Sequence, residues 1–167
     1  MSKPYLSVND FTKDFFAAIK TLKEKQTLVG IPSKTSDRKP EPGEAPEPIN
    51  NAALLYINEF GSPTQNIPAR HPMKTGIKIA QDALADEFRK CAKAAFTHGE
   101  AALDQYYERI GIIGSQSVKY VIYTQQDMDP ISDATSRSRQ SRGFKGEKAL
   151  IVTGQMRNAI TYVVVRK

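Results

Sequence analysis

Apolar positions at the start of the chain change period once. Phe11, Phe15, Ile19 and Leu22 recur at helical steps of four, four and three, the spacing that lines one face of a helix. Residues 8–25 are therefore expected to be helical, with Ser7 as the N-cap. Thr27-Leu28-Val29-Gly30-Ile31 then reads as a short strand, ended by Pro32, which cannot donate to a ladder. A shorter helix is expected from Asn50 or Asn51 to Phe60. Ala53, Leu54, Ile57 and Phe60 form its apolar side, and Gly61 is its left-handed C-terminal cap. Ser62-Pro63 reinforces the stop, and Ile67-Pro68-Ala69-Arg70-His71-Pro72 reads as a stiff extended connector.

Two longer helical patterns follow. Pro72 opens the first, as suits proline in a first turn, and Ile77, Ala80, Leu84, Phe88, Cys91 and Ala95 carry it to His98. The second runs from Glu100 to Gln125 with Leu103, Tyr107, Ile110, Gly114, Val118 and Val121 on one face. Gly111, Gly114 and Ser115 would let another backbone approach closely or let the helix bend. Ala149–Val152 and Ala159–Arg166 read as two strands joined by the Thr153-Gly154 turn and a short helical stretch. In the last strand Ile160, Tyr162 and Val164 face one side, and Thr161, Val163 and Val165 the other. Apolar residues on both sides imply cover on both, from its own domain and from a neighbour.

The sum is an α+β fold. A small, mostly antiparallel sheet from residues 27–31, 149–152 and 159–166 is packed by the N-terminal helix and the two long helices. One domain over residues 1–167 is expected, with two irregular segments. Residues 33–49 carry Pro40, Pro42, Pro46 and Pro48 and read as a flexible arm or long surface loop. Residues 127–148 form a basic loop entered through Asp129-Pro130.

Charge sharpens this division. The net +6 is not spread evenly: residues 1–129 hold 16 basic and 16 acidic side chains, whereas residues 130–167 hold 8 and 2. A neutral body with a basic C-terminal part implies a local contact with something acidic. The candidate contact residues are Arg137, Arg139, Arg142, Lys145 and Lys148. Charge alone would let them touch phosphates, although the loop's run of Ser and Arg has no aromatic platform for stacking bases. A small basic DNA-binding protein is thus one expectation. No apolar run reaches the ~20 residues of a membrane helix, and the N-terminus lacks an apolar signal region, so an intracellular product is expected.

Catalytic chemistry finds few candidates. His71 lies in the proline-rich connector and His98 at a helix end, neither beside a nucleophile motif. Gly111-Ile112-Ile113-Gly114 lacks the lysine of a phosphate loop. Asp82, Asp86 and Glu87 stand near Lys78, Arg89 and Lys90 and read as a solvated helix face. The single Cys91 excludes an intrachain disulfide and a cysteine zinc cage and reads as a core thiol. No catalytic, cofactor-binding or metal-binding residue is expected, and the chain reads as a part of something larger.

Two stretches point to the kind of assembly: Asn58-Glu59-Phe60-Gly61 before Ile67-Pro68-Ala69-Arg70, and Leu150-Ile151-Val152-Thr153-Gly154-Gln155-Met156-Arg157-Asn158-Ala159-Ile160-Thr161-Tyr162. With the Val29-Gly30-Ile31-Pro32 strand and two long helices between them, their order resembles the neck or tail-completion proteins of tailed bacteriophages, also described as head–tail joining or virion-morphogenesis proteins. The resemblance spans most of residues 8–165. It implies that Glu59, Phe60 and Gly61 form the family's helix stop, Pro68 and Arg70 belong to its proline turn, and Thr153, Gly154 and Arg157 to its C-terminal corner. Two departures stand out: His71-Pro72-Met73 follows the arginine where the family commonly has Pro-Phe, and Val152 stands where it often has Asp, leaving Thr153 to cap. The resemblance implies a non-enzymatic virion part, made in the host bacterial cytoplasm. It would form a ring, sixfold to match the tail, between the DNA-filled head and the tail. Its expected partners are other copies of itself, head-completion or adaptor proteins, tail-terminator or tail-tube proteins, and passing genomic DNA. The 33–49 arm, the last strand and the basic loop are the segments such a ring would use.

Overall fold

A computed structural model describes residues 8–98 and 103–167. The expected α+β class holds. In chain order the elements are α1 (Val8–Glu24), β1 (Lys25–Gly30), α2 (Asn51–Phe60), α3 (Pro72–Ile79), α4 (Gln81–His98), α5 (Asp104–Thr124), α6 (Asp133–Ser141), α7 (Gln155–Ala159) and β2 (Thr161–Arg166). The N-cap expected of Ser7, and the first residues of the helix expected from Glu100, lie outside the described residues.

The centre of the molecule is α5, whose apolar face follows the expected stripe. Leu103 just ahead of it, then Tyr107, Ile110, Val118, Val121 and Ile122, are all buried. Each such side chain contributes about 1.5–3 kcal/mol on leaving water. One end of α5 packs with Ala18 of α1 and with Cys91, Ala94 and Ala95 of α4. There the Tyr107 hydroxyl donates to the Leu22 carbonyl at 2.9 Å. The other end packs with Leu55 of α2, Met156 of α7 and Ile160.

Two close approaches hold this seam. A β-carbon at Gly76 of α3 would lie 2.6 Å from the Val118 Cα, so only glycine lets the two backbones meet there. A β-carbon at Gly111 would run into the Tyr162 ring, which covers that turn of α5 from β2.

β1 and β2 form a two-stranded antiparallel sheet, with Leu28 opposite Val163 and Val29 opposite Tyr162. Val29 and Tyr162 face α5, and Thr27 Oγ1 donates to the Tyr107 carbonyl at 3.1 Å. Leu28 and Val163 are exposed on the other face, which the other described residues leave open.

The structure corrects the following expectations. First, residues 149–152 are not a strand. Leu150 has φ 60°, and side chains take up the backbone groups that a ladder would use. Gln125 bonds both the amide and the carbonyl of Ala149, and Arg139 bonds the carbonyl of Ile151. Second, the helix expected over 72–98 turns at Ala80 into α3 and α4, both of which pack on α5. Third, the basic loop contains helix α6, N-capped by Ser132, whose hydroxyl accepts from Thr135 N. Its composition is so polar that no apolar period announces it. Fourth, the buried edge of α2 is Asn51, Leu55 and Glu59, not Phe60, which stays exposed beside Tyr56. Similarly Phe15 and Phe88 are exposed, while Glu87, expected on a solvated face, is buried and paired with Lys90.

Candidate functional site

Glu59 ends the first motif's helix and starts the next one. Its carboxylate accepts from Met73 N at 2.7 Å and Lys74 N at 3.1 Å, in the first turn of α3. His71, which precedes that helix, has φ 48° and offers no side-chain cap, so the carboxylate from α2 satisfies these amides in its place. Gly61 has φ 78°, and a β-carbon there would lie 2.9 Å from Ala69 N. The chain reverses through a bridge between Ser62 and Ile67. Pro68 sets the return, and Arg70 N donates to the Asn58 carbonyl at 2.8 Å. The Arg70 guanidinium then reaches the carbonyls of Asp129 (3.2 Å) and Pro130 (3.5 Å), beyond α5.

The second motif makes the facing wall. Gly154 has φ 80° and stands at the N-cap of α7 without a side-chain cap. Thr153, expected to cap, instead donates to Glu41 Oε1 at 2.9 Å and accepts from Gln155 Nε2 at 3.1 Å. Gln155 also holds the amide and the carbonyl of Lys39, at 2.8 and 3.2 Å. Segment 33–49 is thus fastened to its own C-terminal corner. Within it, Arg38 bonds the Ile49 carbonyl and pairs with Glu44 at 2.7 Å. The Arg38 side chain beside Glu44 holds that carboxyl below its usual range, against the opposing effect of burial. Arg157 points away from this wall, toward the Tyr123 ring at 5.7 Å.

The five basic candidates separate in space. Arg139 is buried, and its Nη1 donates to the carbonyls of Lys148 (2.7 Å), Gly146 (3.4 Å) and Ile151 (3.4 Å). It organises the loop from inside. Burial pushes its pKa down; Glu41 opposes that, and Arg142 and Arg70 add to it. Lys148 caps the end of α5, with Nζ on the Tyr123 carbonyl at 2.8 Å and 4.1 Å from the Tyr123 ring. Arg142 lies half-buried, its Nε on the Ser138 carbonyl and its guanidinium near Phe144. Arg137 and Lys145 are exposed.

What the sequence does not disclose is that both motifs, the 33–49 segment and α6 converge on one groove of about 700 Å³. Four arginines line it (Arg38, Arg70, Arg139 and Arg142) against two carboxylates, Glu41 and Glu44. Leu54, Ile67, Ile131, Leu150 and Met156 supply apolar wall. Asn51, only 2% exposed, also lines the groove. Its amide donates to the Asp37 carbonyl, but its Oδ1 has no hydrogen-bond partner. The signal for Asn51 was its place beside a cap asparagine; nothing in its spacing told it from Asn50, which does the capping.

Among the described residues, no group of three or more His, Cys, Asp or Glu is placed to hold a metal ion. Cys91 is buried, and burial and then Glu87 push its thiol pKa up, away from the reactive thiolate. The side chain of His98 lies outside what the structure describes. Among the described residues no helix is long and apolar enough to cross a membrane. Comparison of the chain with protein-family models, curated proteins and solved structures finds no match.

Proposed function

We propose that the chain is a structural part of a tailed-phage neck, one copy in a closed ring between the head and the tail. The observation that carries this reading is how much large apolar surface the single chain leaves in water. Phe15 stacks on Phe96 at 5.5 Å and meets Phe16 edge-on, and all three rings are exposed. Tyr56 and Phe60 form a second exposed pair on α2. Leu28 and Val163 lie bare on the face of the two-stranded sheet turned away from α5. Apolar surface of this kind marks contacts with other chains, and head-to-tail contacts that close by rotation make rings. The motif order gives the expectation of a neck; the uncovered surface supports an assembled part.

Electron microscopy of intact particles, with this chain placed in the density, tests the reading. A closed ring at the head–tail junction is expected. A chain absent from the particle and monomeric in solution at high concentration would sink it.

One observation favours a second reading, in which the chain binds DNA. Tyr123 of α5 lies under Lys148 and close to Arg157, so the fold brings to the basic loop an aromatic ring that its run of Ser and Arg lacks in sequence. Duplex affinity that falls steeply with salt, and collapses when Arg137, Arg142 and Lys145 become alanine, is the signature of that reading.

A further inference from the structure

We infer that the arginine-lined groove receives an extended acidic segment of another protein chain, with its carboxylates on Arg70 and Arg142 and a main-chain N–H on Asn51 Oδ1. Three observations meet in that statement. The lining carries four guanidinium groups against two carboxylates, and those two are already engaged, Glu44 by Arg38 and Glu41 by Thr153. Arg139 is turned onto carbonyls. Arg70 bonds carbonyls through Nε and Nη2, and Arg142 bonds one through Nε. A guanidinium has five N–H donors, so donors remain on both for a charged acceptor.

The second observation is Asn51. A buried acceptor without a partner is costly, and this one belongs to a residue of the groove wall. It calls for a donor. A peptide main chain brings one at each residue, whereas a phosphodiester brings only acceptors. The third is the mixed lining. Leu54, Ile67, Leu150 and Met156 stand among the charged groups, which suits an extended segment whose side chains alternate between apolar and acidic. The chain's own Glu41 and Glu44, held at this groove by a hydroxyl and a guanidinium, show the chemistry that the wall accepts.

The inference concerns the isolated chain and does not depend on the neck reading; particle imaging and the following experiment fail independently. Fluorescence anisotropy is measured with a fluorescein-labelled peptide Asp-Leu-Glu-Leu-Asp and with its amide counterpart Asn-Leu-Gln-Leu-Asn, at about 100 mM salt to damp non-specific attraction. The acidic peptide is expected to bind at least about tenfold more tightly than the amide one, and Arg142→Glu to weaken it by at least about tenfold. Arg137→Glu makes the same charge change on an exposed residue that does not line the groove and is expected to stay within about twofold of the parent. Arg142→Gln serves if the reversal does not fold. In NMR spectra the Asn51 side-chain amide is expected to shift on adding the acidic peptide and to stay in place with inorganic phosphate. Three results would overturn the inference: no binding by the parent chain, equal weakening by the two reversals, or displacement of the peptide by duplex DNA.

Discussion

The seam along α5 and the groove between the two motifs are built on opposite terms. In the seam, glycines and apolar side chains bring elements together until little but van der Waals contact remains: Gly76 on Val118, Gly111 under Tyr162, Val121 and Ile122 wholly buried. In the groove, four segments distant in sequence are joined by charged and polar side chains reaching backbone groups, as Arg70, Arg139 and Gln155 do. The first kind of contact tolerates no added volume. The second tolerates volume but not the loss of a partner, because each truncation leaves carbonyls or amides bare.

The largest effect is expected at the seam. Gly76→Ala gains helix propensity but drives a β-carbon into the Val118 backbone, and overpacking of that kind outweighs the gain. A net loss of about 2–3 kcal/mol is expected in urea unfolding. A cycle with Gly111→Ala and Tyr162→Ala sharpens the point. If the ring above Gly111 is the obstacle, the glycine change costs clearly less once the ring is gone. Equal cost in both backgrounds would show that the seam is looser than described.

On the groove side the matching test is Arg139→Leu. It keeps apolar volume but strips three carbonyls of their donor, and a loss of about 2 kcal/mol is expected by the same measurement. Arg137→Leu, at an exposed position of the same helix, is expected within about 0.5 kcal/mol of the parent. Should the two arginines behave alike, the inward role of Arg139 is wrong. Glu59→Ala follows, with about 1–2 kcal/mol expected for leaving the first turn of α3 uncapped.

The same contrast decides what the sequence discloses. The stripe from Leu103 to Val121 has one period, so its buried residues are legible, as are the Gly61 stop and, to within one residue, the asparagine cap of α2. The strand expected at 149–152 fails because Gln125 and Arg139 satisfy that backbone from the side, and no pattern of apolar residues records such bonds. Helix α6 is missed for a related reason: it packs through Arg139, not through an apolar stripe. Among the basic residues, sequence alone cannot separate Arg139, folded inward, from Arg137, left in solvent. The groove is legible only once its walls are folded, because the two stretches singled out by motif order supply only part of its lining and the 33–49 segment and α6 supply much of the rest.

The smallest effect concerns how the 33–49 segment is held. Glu44 is paired with Arg38, and the hydrogen bond from that guanidinium holds its carboxyl below the usual carboxylate range in the folded state. A carboxyl depressed on folding stabilises the fold above its unfolded pKa and loses that contribution as pH falls through the folded value. Stability is therefore expected to decline between the unfolded and folded pKa of Glu44, and Glu44→Gln to remove that part of the decline. The Glu44 side chain is partly open to water, so the difference between the parent and the variant at neutral pH is expected to stay below about 1 kcal/mol. Urea unfolding of both chains at neutral pH and in mild acid reads it directly. A gap that persists unchanged into acid would mean that Glu44 acts through shape and not through charge. The segment would then be held without that charge, through Gln155 and Thr153 and through Asn51 on the Asp37 carbonyl, which ties its closure to the C-terminal corner and α2 and not to its own ion pair.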